Sequence, residues 1–190
     1  KFKKLEVEDK IFISYIGRIQ NYKGLDQIIR VLPKLLTLNN KVRLLFIGAD
    51  MGEKKILENL SENLNVKDKV IFTGEVSEDE KIFLLKKSEI FILPSKIEGF
   101  GIVLLEAMSQ KKPVVSTKTE GGSFLIKEGI NGYTYNFDNL KRLEEVMIRL
   151  IKNKKLRQRM GEESYKIAKK FSWETIGKNL EKIYINELKK

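Results

Sequence analysis

The chain has 190 residues, of which 42% are hydrophobic, enough for one domain of ordinary size with a real core. It has no cysteine and no histidine, which excludes disulfides, thiolate chemistry and the commonest general base and zinc ligand. The formal net charge is +11, and residues 141–190 carry 15 Lys and Arg against 7 Asp and Glu. That basic stretch runs through helix-like segments without aromatic interleaving, so its plain reading is a solvated helical face. An anionic membrane surface is the sharper reading, since basic residues near such a surface contribute about 1 kcal/mol each. No nucleic-acid partner is expected, because no recognition motif accompanies the charge. No apolar run approaches the length of a membrane span and no signal peptide is visible, so a cytoplasmic domain is expected, with a peripheral position on the inner face of a membrane as the option that the basic stretch leaves open.

In chain order, Lys1 to Lys10 is charged and unpatterned and reads as a linker or cut end. Ile11 to Gly17 is a short apolar run closed by glycine, a buried strand entering a turn. Arg18 to Lys23 is a polar loop. Gly24 to about Leu38 is helical, with Leu25, Ile28, Ile29, Leu32, Leu35 and Leu36 on one face and Pro33 expected to kink or divide it. Val42 to Gly48 is a second strand, followed by a helix to about Leu64, and Val70 to Gly74 is a third. Ser77 with Glu80 three residues on is a capping box that starts the next helix. Glu89 to Leu93, Pro113 to Ser116 and Tyr133 to Tyr135 complete six strands. Glu120 to Ser123 reads as a turn. The segments 139–151, 154–170 and 173–188 read as helices, the last with an apolar stripe at Trp173, Ile176, Leu180, Ile183 and Leu188.

Alternating strands and helices predict an α/β fold, a doubly wound parallel sheet with extra C-terminal helices. Ligands on such sheets lie beyond the carboxyl ends of the strands. The loops Gly17–Gly24, Gly74–Ser77 and Pro94–Gly101 all fall there. The stretch from Pro94 to Glu106 is the most informative. It leaves a strand, turns through Glu98-Gly99-Phe100-Gly101 and enters an apolar helix at Ile102. A glycine turn into a helix presents backbone N–H groups to an anion. Glu106 lies roughly one turn inside that helix, and its carboxylate, like that of Glu98, suits sugar hydroxyls, which donate to carboxylate oxygens.

Four motifs carry a family resemblance over about Ile11 to Leu188: Gly17-Arg18 with Lys23-Gly24; Phe72-Thr73-Gly74-Glu75-Val76; Glu98-Gly99-Phe100-Gly101 with Glu106-Ala107-Met108; and Phe171-Ser172-Trp173-Glu174. In this order and spacing they resemble the C-terminal, nucleotide-sugar-binding half of a GT-B glycosyltransferase of the retaining class called family 4, or glycosyl transferases group 1. The resemblance implies a Rossmann-like domain at 11–170 and a helix at 171–190 that packs on an absent N-terminal, acceptor-binding domain. It implies a nucleoside diphosphate sugar as donor, with Arg18 and Lys23 clamping the diphosphate in place of a divalent metal. Backbone N–H groups at Ile102 and Val103 would add to that grip beside Gly17. Glu98, with Gly99, Phe100 and Gly101, would hold the transferred sugar. Glu106 would take the ribose and Val76 the base. Glu98, Arg18 and Lys23 are the candidate catalytic residues; no cofactor or metal is expected, and no Asp-x-Asp pair is present to hold one. The reaction implied is glycosyl transfer to an acceptor hydroxyl, by an enzyme of which this chain alone would be inactive. A sugar-nucleotide epimerase domain and a non-catalytic sugar-nucleotide-binding module are the alternatives. The sequence departs from the family at Glu120 to Phe124, where Phe124 stands in the place of a glutamate and no role is carried over.

Overall fold

The computed structural model describes residues 9–188, so the expected linker lies, up to residue 8, outside the described residues. Six parallel strands form one sheet: β1 (Ile11–Ile16), β2 (Val42–Ile47), β3 (Val70–Phe72), β4 (Ile90–Leu93), β5 (Val114–Thr117) and β6 (Gly132–Tyr135), in the order β3-β2-β1-β4-β5-β6. Every pairing is parallel, beginning with Ile11 opposite Val42 and including Ile13 opposite Ile90. The two central strands, β1 and β4, are buried on both faces because helices flank the sheet; all of β4 is buried.

Eight α-helices accompany the sheet among the described residues: α1 (Leu25–Leu38), α2 (Lys54–Asn63), α3 (Glu78–Lys87), α4 (Ile102–Ser109), α5 (Glu120–Leu125), α6 (Leu140–Lys152), α7 (Lys154–Lys169) and α8 (Trp173–Leu188). Helix α1 packs beside α2 and α6, and α4 packs on α7. The box at Ser77 is complete: its side chain accepts from the Glu80 N–H, and the Glu80 carboxylate accepts from the Ser77 N–H. Arg157 is a buried cation held by Glu89 at 2.8 Å and by the carbonyls of Leu150 and Ile151, so it closes the C-terminus of α6.

Three local expectations change. Pro33 does not divide α1, because Ile29, Leu32 and Leu35 are buried on either side of it and carry the helix through. The Glu120–Ser123 turn is the start of α5, capped by the Thr119 side chain, which accepts from the Gly122 N–H. Strand β3 stops at Phe72, since the Gly74 carbonyl turns back to accept from the Gly48 N–H at 3.0 Å. Helix α8 contributes no buried residue, and Trp173 is 88% exposed.

Candidate functional site

The sheet order reverses between β1 and β4. The loops after these two strands part there and leave a crevice at their carboxyl ends. A cavity of about 420 Å³ fills it, lined by Ile16, Gly17, Arg18, Lys23, Glu98 and residues 99–103. Of the residues singled out in the sequence, the structure brings Gly17, Arg18, Lys23, Glu98, Gly99, Phe100, Gly101, Ile102 and Val103 to this one place.

Each wall has a local cause. After β1 the chain makes a single turn of 3-10 helix, Asn21–Lys23, then enters α1 through Gly24 at φ 62°. After β4 it enters α4 through Gly101 at φ 75°. Both helix entries use the left-handed region, where a side chain is strained. The first N–H groups of α4, at Ile102 and Val103, therefore face the same crevice as Arg18 and Lys23.

The loops rest on one another through the main chain. The Lys96 N–H donates to the Tyr22 carbonyl at 2.8 Å, and the Gly121 N–H donates to the Gly99 carbonyl at 2.8 Å. A Cβ on Gly24 would collide with the Pro94 carbonyl oxygen, one on Gly48 with that of Gly17, and one on Gly121 with that of Phe100. Gln27, buried on the apolar face of α1, donates to the carbonyls of Gly24 (3.4 Å) and Pro94 (3.2 Å) and accepts from the Asp138 N–H (3.1 Å). Tyr15 lies beneath Gly17 and donates to the Arg18 carbonyl at 2.8 Å. Burial, reinforced by the Glu98 charge, pushes its phenol above the usual tyrosine range.

Within the crevice, Lys23 Nζ meets Glu98 Oε2 at 2.7 Å, and Ser95 Oγ lies 3.4 Å from the same oxygen. Glu106 and Val76 stand apart. Glu106 does not line this cavity: its Oε1 accepts from Lys81 Nζ at 2.9 Å, while its Oε2 is buried with no partner among the described residues. Burial pulls the Lys81 ammonium down, but its bonds to Glu78 and Glu106 outweigh that and hold it above the usual lysine range. Val76 packs half-buried against the core in the loop before α3.

Sequence reasoning missed Lys81, Gln27, Tyr15 and Gly121 as supports of the site. The signal for Gln27 was a lone amide on an otherwise apolar helix face. It also missed an aromatic cluster at the rim, where Phe100, Phe124 and Phe171 meet pairwise with ring centroids 5.8 to 6.0 Å apart. Phe124 thus packs as an apolar partner of the Phe100 ring. Beside the cluster, an apolar groove of about 630 Å³ runs between α4 and the α7–α8 corner, lined by Ile102, Leu105, Glu106, Phe171, Trp173 and Ile176 among others.

A parallel sheet with cationic side chains and a helix N-terminus at its switch point is a Rossmann-like frame suited to a phosphorylated ligand. The chain belongs to the family glycosyl transferases group 1, whose model matches residues 1–167. An uncharacterized glycosyltransferase of Methanocaldococcus jannaschii is 32% identical over 178 residues, covering 93% of this chain and 45% of that protein. The chain spans about half the length of the curated relatives it matches. The Anabaena protein HepE, crystallised in complex with UDP, superposes with a TM-score of 0.87 at 22% identity, over 97% of this chain and 51% of that one. The C-terminal domain of a group 1 glycosyl transferase, LpcC of Francisella tularensis, superposes with a TM-score of 0.79 at 25% identity, covering 88% and 89% of the two chains.

Proposed function

We propose that this chain is the donor-binding domain of a retaining glycosyltransferase, which moves a glycosyl group from a nucleoside diphosphate sugar to an acceptor hydroxyl. The observation that carries the reading is the convergence of Arg18, Lys23, Glu98 and the α4 N-terminus on one crevice. The diphosphate lies against Arg18, Lys23 and the N–H groups of Ile102 and Val103. As the glycosidic bond breaks, negative charge grows on the leaving diphosphate. The N–H groups at the α4 start are fixed by the fold and stabilise that charge without reorganising, and Arg18 and Lys23 add their positive charge. An Arg fork and a Lys point charge provide the compensation that a divalent metal gives elsewhere, so binding needs no metal. Glu98 accepts from hydroxyls of the transferred sugar. Glu106 is assigned to the ribose, with Lys81 orienting its carboxylate, and Val76 to the base. HepE was crystallised with UDP, which supports a nucleotide in this fold.

The acceptor half is a separate domain, and α8 with its exposed Trp173, Leu180 and Ile183 meets it. The chain by itself therefore binds donor but transfers nothing. Among the described residues no helix is long and apolar enough to cross a membrane; the domain works in the cytoplasm, with the basic C-terminal helices toward an anionic membrane surface.

The test is calorimetric titration with UDP, GDP and ADP, with and without a chelator. One nucleotide binds the wild type, and the chelator has no effect. Charge-assisted bonds contribute roughly 1.5–3 kcal/mol each, so Arg18→Ala and Lys23→Ala each weaken it by about tenfold or more. Unchanged affinity in both variants would place the phosphate site elsewhere.

A further inference from the structure

Lys23 and Glu98 come from loops 75 residues apart and meet at 2.7 Å in the lining of the crevice. Their side chains are only 14% and 20% exposed, so water compensates each poorly if the other leaves. The nucleotide-sugar reading, on which this inference rests, assigns the two residues to different parts of one ligand. Lys23 serves the diphosphate and Glu98 serves the sugar. Yet in the structure they hold each other.

We propose that Lys23 and Glu98 form an exchange pair that distinguishes a sugar-bearing nucleotide from a bare one. A phosphate entering the crevice competes with Glu98 for one ammonium group. When it wins, Glu98 has lost its partner and faces a second anion at close range. Ser95 Oγ, at 3.4 Å, is a weak replacement. Hydroxyls of an attached sugar are full replacements, because each donates to a carboxylate oxygen. A sugar nucleotide therefore completes the exchange, and a bare nucleoside diphosphate leaves it half made. Once the sugar has left, Glu98 draws Lys23 back and the diphosphate is held less firmly. The pair thus biases the site toward loaded donor and against spent product.

The rival geometry is a bridge, in which the three N–H groups of Lys23 hold Glu98 and phosphate together. Inorganic pyrophosphate separates the two, because it has phosphate charge and no sugar. The measurement is its affinity, at one ionic strength, for the wild type, Glu98→Gln, Lys23→Ala and the double variant. Exchange predicts that Glu98→Gln binds pyrophosphate about three- to fivefold tighter than wild type, the scale expected of a partly exposed pair. In the Lys23→Ala background the same substitution gains less than about twofold. Unchanged or weaker binding by Glu98→Gln means a bridge and overturns the proposal. So does an equal gain in both backgrounds, which would be plain charge repulsion. Affinity that survives Lys23→Ala alone also overturns the exchange, whereas a wild type that binds no pyrophosphate, or whose affinity survives both Lys23→Ala and Arg18→Ala, brings down the phosphate-site reading itself. That outcome is visible before Glu98 is touched.

Discussion

Gly121→Ala sets two known effects against each other. Gly121 lies in the first turn of α5 with an ordinary helical backbone, so alanine there should gain about 0.5–1 kcal/mol from reduced chain entropy. The added Cβ, however, would overlap the carbonyl carbon and oxygen of Phe100 and press on the Gly99 carbonyl. Those are main-chain atoms, and no rotamer change moves them away. Gly121 also donates its own N–H to Gly99 at 2.8 Å, so displacing α5 stretches that bond. Overpacking of this kind costs about 1–3 kcal/mol, and the cost wins. Net destabilisation of roughly 1–2 kcal/mol corresponds to a fall in Tm of about 2–8 °C for a domain of this size. Because the displaced atoms belong to the loop of Glu98 to Gly101, nucleotide binding should weaken as well. The assay is thermal and urea unfolding together with calorimetry. Gly177→Ala is the control: it is also helical, has open space around the position, and should raise far-UV helicity instead. A Gly121→Ala protein as stable as wild type would refute the reasoning.

Gln27→Leu keeps the bulk but leaves the Pro94 carbonyl and the Asp138 N–H without their partner. Each stranded group costs about 1–3 kcal/mol, so urea unfolding should show a loss of about 2–4 kcal/mol; a loss below about 0.5 kcal/mol would mean that Gln27 ties nothing together. Burial first, and then nearby carboxylates, hold the phenols of Tyr15 and Tyr135 above the usual tyrosine range. The folded state keeps protons that the unfolded state releases, so this stability is complete below the unfolded value of about 10 and lost as pH rises above it. Each phenol contributes a slope of up to about 1.4 kcal/mol per pH unit there, and Tyr15→Phe with Tyr135→Phe should flatten the alkaline limb; parallel curves for variant and wild type would contradict the assignment.

The first four strands were legible because each is an apolar run closed by glycine or proline, at Gly17, Gly48, Gly74 and Pro94. Loops at strand ends of a parallel sheet must share an edge, so most of the crevice could be read before any coordinates. What lay beyond reach was distance across the chain. Nothing local to Lys23 says that Glu98 is its partner, and nothing near Glu106 names Lys81. Glu106 was assigned to the ribose side of the site by its motif, and the sequence did not show that its carboxylate pairs with Lys81 of α3 outside the crevice lining. Pro33 misled because propensity was weighed without the burial of Leu32 and Leu35. Gly121-Gly122 misled because paired glycines suggest a turn, although Thr119 held the capping signal. The exposed face of α8 was expected from the family resemblance, which sends its apolar stripe to another domain: Leu180 and Ile183 lie open, while Ile176 is half-buried in the groove.

At Gly24, Gly48 and Gly121, main chain lies directly on main chain. A side chain between two loops acts as a spring, since it can change rotamer and absorb a small displacement. Abutting peptide planes have no such give. A force on the Lys23 loop passes straight to Pro94, and a force on the Glu98 loop passes to α5, so the frame has the compliance of the sheet rather than of a loop. Fitting a ligand of unfamiliar shape is left to the long, jointed ends of Arg18 and Lys23, which makes the site stiff in its backbone and soft only at its charges.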